Sequence, residues 1–246
     1  MSNHTGDDLP HLAFNDFSTR PVLIVETAAE RKPSWRGWIH TGVMPIVIAA
    51  GIVLIVLANG VAAKVVDSIF FASSILLFGN SALYHRFSWK PRTKKILKRI
   101  DHANILLLIA GSYTPITWLA LPQPKALLLM CIIWGTAILG IGFRVFWITA
   151  PRWLYVPIYV GMGWVALAYV VDFMNANAPM MILILSGGLL YSIGAALYAF
   201  KWPGKNARHF GFHEYFHACT VAAFLCHWTG ILLISLWPAA GSFGSA

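Results

Sequence analysis

The sequence predicts an all-α integral membrane protein, a bundle of seven transmembrane helices with its N-terminus in the cytoplasm and its C-terminus outside. Three observations carry this prediction. Of the 246 residues, 58% are hydrophobic and only 11% charged, where a soluble domain carries about 25% charge. Apolar stretches of about 20 residues, enough for a helix to span the bilayer core, recur along the chain with short gaps between them. Nearly all of the 18 Lys and Arg residues then fall on one side of the resulting topology, as cytoplasmic segments require. The spans leave no room for a sizeable soluble domain, so any chemistry takes place in or beside the bilayer.

Residues 1–37 are polar and acidic and lack the basic start and apolar core of a cleavable signal peptide. They are expected to form a cytoplasmic tail, with Trp35 and Trp38 suited to the membrane surface. Residues 38–246 form the transmembrane domain. Its first span, 38–59, serves as its own insertion signal, and its second, 65–85, runs to His85. A basic loop from Arg86 to Arg99 follows, with seven positive charges that suit a topology determinant or a contact with anionic head groups. The third span, 101–121, opens on Asp101; the fourth and fifth, 126–147 and 153–173, are joined through Arg144 and Arg152. In the sixth, 180–200, Gly188, Ser192 and Ala196 recur every four residues as a face for close helix packing. The seventh covers 210–237. Pro115, Pro157 and Gly187-Gly188 interrupt these helices and need neighbouring helices to cover the backbone.

Every Lys and Arg except Lys64 and Lys125 lies on the side of the N-terminus, including Arg20, Arg31, Lys32, Arg36, Lys201, Lys205 and Arg208. Topology thus accounts for the net charge of +9, and no nucleic-acid partner is expected. Cys131, Cys219 and Cys226 sit in apolar stretches without C-x-x-C spacing, which points to neither a disulfide framework nor a thiolate zinc site.

Ionisable groups at membrane depth are costly unless partnered, and five draw notice: His85, Asp101, His213, Glu214 and His217. All fall at the cytoplasmic ends of helices two, three and seven. His213 and His217 are four apart, so both imidazoles project from one helix face about 6 Å apart, a separation that lets two nitrogens reach one metal ion. Ser81 and His85 repeat that relation. A third imidazole would complete a three-histidine site with an open fourth position, the arrangement of catalytic zinc; iron, nickel and copper also accept imidazole. Taken singly, His85 reads equally as an interfacial hydrogen-bonding group and Asp101 as the cap of the third helix. His102 reads as a packing partner on another face, and His40 and His209 lie at the rim. His227 lies about 15 Å deeper than His217, too far to share a metal. Asp67 and Asp172 fall near the outer surface and are expected to be solvated. Glu214 turns the pair into H-E-x-x-H, the zinc metalloprotease signature in which the Glu is the general base; alternatively it faces the basic loop.

Ser81-x-x-x-His85, Asp101-His102 leading into Ile109-Ala110-Gly111-Ser112-Tyr113-Thr114-Pro115, and His213-x-x-x-His217 together resemble the haemolysin III branch of the progestin and adipoQ receptor superfamily, from about His40 to the end. The resemblance implies that His85, His213 and His217 bind zinc, that Asp101 holds the water on the metal and that Ser81 supports the site from one layer out. It also implies a relation to alkaline ceramidase-like membrane hydrolases. The function expected from these roles is zinc-dependent hydrolysis of a lipid amide or ester, by a multi-pass protein of the plasma membrane or bacterial inner membrane. Zinc on three imidazoles brings a bound water to a pKa of about 7, and Asp101 can take its proton. A site open to the inner leaflet draws a long-chain acyl lipid sideways from the membrane. The alternatives are a non-catalytic receptor or cytolysin-type protein with structural zinc, and, third, an H-E-x-x-H intramembrane metalloprotease. A pore would show a polar stripe along whole helices, and none is visible in the sequence.

Overall fold

In lipid an unpaired N–H or C=O has no water to turn to, so an apolar chain satisfies its backbone within helices. The computed structural model describes residues 33, 35–204, 207 and 209–245, and among them the regular structure is entirely helical. Most of the tail expected over 1–37, with Arg20, Arg31 and Lys32, lies outside the described residues, as do Lys205 and Arg208. Six helical stretches are long and apolar enough to cross a membrane. They are α1 (Trp38–Leu57), α2 (Gly60–Arg86), α3 (Pro91–Ala120), α4 (Gln123–Phe146), a 49-residue stretch over Arg152–Phe200, and the last helix, Phe212–Leu236. The long stretch comprises α5 (Arg152–Trp164), 3-10 turns at Val165–Tyr169 and α6 (Val170–Phe200), so the last helix is α7.

Two expectations about boundaries are corrected here. Helix α3 begins ten residues before Asp101, at Pro91, so most of the basic segment from Arg86 to Arg99 is not a loop but the first turns of a helix. Hydropathy registers only the apolar part, whereas Pro at the first helical position and helix-forming Lys and Arg extend the helix toward water. Asp101 is therefore inside α3 and cannot cap it. The second correction concerns 152–200, where the helical stretch is interrupted not by a loop but at Asn177, whose φ of −163° and ψ of 96° are non-helical. Asn177 Oδ1 accepts the Met180 N–H at 2.9 Å, and Pro179 follows within the first turn, which is how a helix starts. Contacts across this break run in antiparallel register: Arg152 Nη1 donates to the Tyr198 carbonyl and Trp164 Nε1 to Ser192 Oγ, both at 2.9 Å.

The central element is α3, which packs on α2, α4 and α7. From Ala110 to Thr117 it is buried all round. Its Ser112 and Thr114 hydroxyls donate to carbonyls one turn back, at 2.8 Å. The Tyr113 hydroxyl donates to Gly163 O and accepts the Ala166 N–H, both at 2.8 Å, and so holds the 3-10 turns between α5 and α6. Two asparagines set the antiparallel register of α2 against α3: Asn104 Nδ2 donates to Leu76 O at 2.7 Å and Asn80 Nδ2 to Leu97 O at 3.3 Å. In the same register Gly111 lies flat on Ser73, where any side chain would collide. This alignment sets Ser81 opposite Asp101.

Helices α6 and α7 approach closely through Gly187 against His227, Gly194 against Cys219 and Gly230 against the Met180 backbone. The expected small-residue face of α6 has a different neighbour, the Trp164 ring of α5, beside Gly188 and Ser192. At the end of the bundle remote from His85, Asp67 is fully buried rather than solvated. Its Oδ1 accepts the Ser235 hydroxyl at 3.0 Å, while Oδ2 has no hydrogen-bond partner among the described residues. Nearness to a helix end does not reveal which face is covered, and here α7 covers it. Asp172 pairs with Lys125 at 2.6 Å, near the surface as expected.

Candidate metal centre

The last turn of helix α2 carries His85 and α7 opens through His213 and His217, and the two ends meet. The helical repeat alone sets His213 and His217 on one face, with ring centroids 4.5 Å apart. The His85 ring stands across from them, 4.6 Å from His213 and 5.2 Å from His217. His85 Nε2 and His213 Nε2 are 3.1 Å apart, and one nitrogen from each of the three rings lies within 4.8 Å of the others. A tetrahedral zinc with bonds of about 2.0–2.1 Å holds its nitrogens about 3.4 Å apart. The donor set and spacing therefore fit such an ion after small ring rotations.

Asp101 completes the cluster, with Oδ2 3.9 Å from His85 Nε2 and the Ser81 hydroxyl beside its carboxylate. All five site residues expected from the sequence, Ser81, His85, Asp101, His213 and His217, thus come together at one end of the bundle. His40 was placed only at the rim by sequence, yet it belongs to the cluster. It is buried and stacks on His217 with centroids 3.9 Å apart and planes 9° apart, and among the described residues neither ring nitrogen has a hydrogen-bond partner. The available signal was a histidine in the first turn of an otherwise apolar helix.

A turn before α1 braces both helix ends. Gly37, at φ +83°, lies on the backbone of His85 and Arg86, where a Cβ would come within about 2.9–3.1 Å. Trp35 N–H donates to His209 O at 3.4 Å, and the Arg86 guanidinium lies over the Trp38 ring. From the same turn Arg36 Nε donates to Glu214 Oε1 at 2.9 Å. Glu214 Oε2 accepts the Gly211 N–H, also at 2.9 Å, which caps α7. The Glu of H-E-x-x-H thus has both oxygens occupied, and its basic partner is Arg36 rather than the Arg86–Arg99 segment.

Beyond the cluster an apolar cavity extends between α3, α5, α6 and α7, walled by residues such as Leu108, Ile109, Ile116, Val160 and Leu185. Asp101, His213 and His217 line one end of it. Ile184 and His227 line the other, ten residues along α7 or about 15 Å away. His227 Nε2 donates to Ile184 O at 3.2 Å, so this histidine anchors α7 to α6 at a distance from the cluster.

Residues 29–228 match a family model described as haemolysin-III related. The chain is 33% identical to a hemolysin-3 of Bacillus cereus over 183 residues, covering 73% of this chain and 82% of the relative. It is 33% identical to a hemolysin-3 homolog of Bacillus subtilis over 160 residues, covering 65% and 74%. A progestin and adipoQ receptor-like protein 1 of Caenorhabditis elegans is 30% identical over 190 residues, 68% of this chain but 43% of that longer protein.

Proposed function

Since the chain belongs to the haemolysin III family of membrane proteins, we propose that it is a zinc-dependent hydrolase of long-chain lipid amides or esters, ceramidase-like, working at the inner leaflet of the plasma membrane or bacterial inner membrane. The observation that carries this reading is the convergence of three imidazoles and one carboxylate at the head of a long apolar cavity. The cavity takes the acyl chain, and its polar end receives the amide or ester. His85, His213 and His217 would hold the zinc, which when bound would supply a Lewis acid for the carbonyl and for activating water near neutral pH. Asp101 accepts the proton of the attacking water at its carboxylate and returns it to the leaving amine or alkoxide. Ser81 orients that carboxylate, and the stacked ring of His40 holds His217 in place.

Seven crossings belong to the same proposal. A straight helix of 49 residues would run about 74 Å, more than twice the bilayer core, and the break at Asn177 with antiparallel contacts on either side supports two crossings there. The distribution of Lys and Arg supports a cytoplasmic N-terminus and puts the histidine cluster on the inner side. The basic start of α3 then lies against anionic head groups.

The test is elemental analysis of the purified protein together with turnover of a labelled ceramide and a labelled acyl ester. About one zinc per chain is expected, lost in His213→Ala/His217→Ala, with turnover abolished in Asp101→Asn while zinc remains. Turnover at the unaltered rate in Asp101→Asn or His217→Ala would end the hydrolase reading. Bound metal without turnover would favour the second reading, a receptor-type protein in which metal ties α2 to α7; the likeness to the receptor-like relative supports that alternative.

A further inference from the structure

We propose that His102 is a ligand-binding residue of the cavity: its Nε2–H donates a hydrogen bond to an acyl oxygen of the lipid, in a tautomer imposed by the buried Arg144. The inference rests on the reading of the cavity as a lipid site.

Arg144 is fully buried, and among the described residues it has no carboxylate within ion-pair distance. It stands in the last turn of α4, where the helix dipole favours a cation. Its guanidinium lies over the Tyr155 ring at 4.1 Å, its Nη1 donates to Trp147 O at 3.4 Å, and its Nη2 meets His102 Nδ1. A guanidinium has donors only. The ring nitrogen it meets must therefore be the acceptor, and the proton of the neutral imidazole resides on Nε2. The Tyr159 hydroxyl donates to the His102 carbonyl at 3.4 Å and steadies the same residue.

His102 follows Asp101 directly and lines the cavity with it, and no protein group among the described residues engages Nε2. The polar end of the cavity therefore combines the Asp101 carboxylate and the His213 and His217 imidazoles with one fixed donor. The buried positive charge behind that donor polarises the N–H and favours an anionic oxygen over a neutral one. The chemistry recognised is the carboxylate or acyl carbonyl of a long-chain lipid.

The full chain in detergent or nanodiscs serves for the test, with palmitate and palmitamide as probes. His102→Phe keeps a ring but removes the donor; it is expected to weaken palmitate binding about tenfold or more, to weaken palmitamide less, and to leave metal content unchanged. His102→Gln restores a donor and should recover part of the affinity. In protein labelled with nitrogen-15 at histidine, His102 should show a protonated Nε2 and a bare Nδ1, a readout that needs no variant to fold. A proton on Nδ1, or unchanged palmitate affinity in His102→Phe, would overturn the proposal. Palmitate binding that depends on His102 in a protein lacking metal and turnover would support this inference and sink the hydrolase reading. Turnover with His102-independent binding would do the reverse.

Discussion

Glu214 engages Arg36 with one oxygen and the first turn of α7 with the other. A carboxylate so engaged serves structure, and Glu214→Gln is expected to lower stability by about 1–3 kcal/mol, less than for a fully buried pair because Arg36 is 23% exposed. Thermal unfolding beside elemental analysis checks this: a fall in Tm with metal retained is expected, whereas lost turnover at unchanged Tm would return Glu214 to the role of general base. Asp67 depends on one hydroxyl, so Ser235→Ala should destabilise by about 1–3 kcal/mol, measured by denaturant unfolding, as it leaves both carboxylate oxygens unpartnered. At this scale the sequence was readable where one helix sufficed. His213 and His217 declare themselves by a spacing of four. The meeting of His85 with Asp101, and of His40 with His217, depends on alignments between helices that no local pattern encodes.

Among the elements, α3 shows what hydropathy sees and what it misses. The apolar half of the helix was evident from composition, but its basic N-terminal turns were not, because helix propensity continues where hydrophobicity stops. The break at Asn177 was readable as a gap between two apolar runs, though not as a helix start with its own cap. Asn177→Ala removes that cap and is expected to cost about 1 kcal/mol. Gly187 marks a sharper constraint, since any side chain there collides with His227. Gly187→Val should destabilise by about 1–3 kcal/mol through overpacking, and unfolding in denaturant would report it, with the largest effect on the α6–α7 contact. Of the four-residue repeat Gly188, Ser192 and Ala196, the first two pack beside the Trp164 ring of α5, whereas Ala196 is exposed, because a small-residue spacing shows where a neighbour can approach and not how far along the helix it extends.

For the whole molecule, the all-helical membrane fold and the family were both readable from the chain, and the family model and relatives bear out the resemblance. The proposed orientation is checked by labelling single cysteines in a background lacking Cys131, Cys219 and Cys226. On intact cells an impermeant maleimide should modify Ala240→Cys, whereas Ser88→Cys should react only after permeabilisation; the opposite pattern would invert the topology.

His85 and His213 are 128 residues apart in the chain, and only α7 supplies the second and third imidazoles. During translation, the centre cannot exist until nearly all of the protein has left the ribosome and its last helix has entered the bilayer. On the proposed reading, metal acquisition would be a late step of biogenesis, and a nascent chain halted before residue 212 would carry His85 without the other two imidazoles of the cluster.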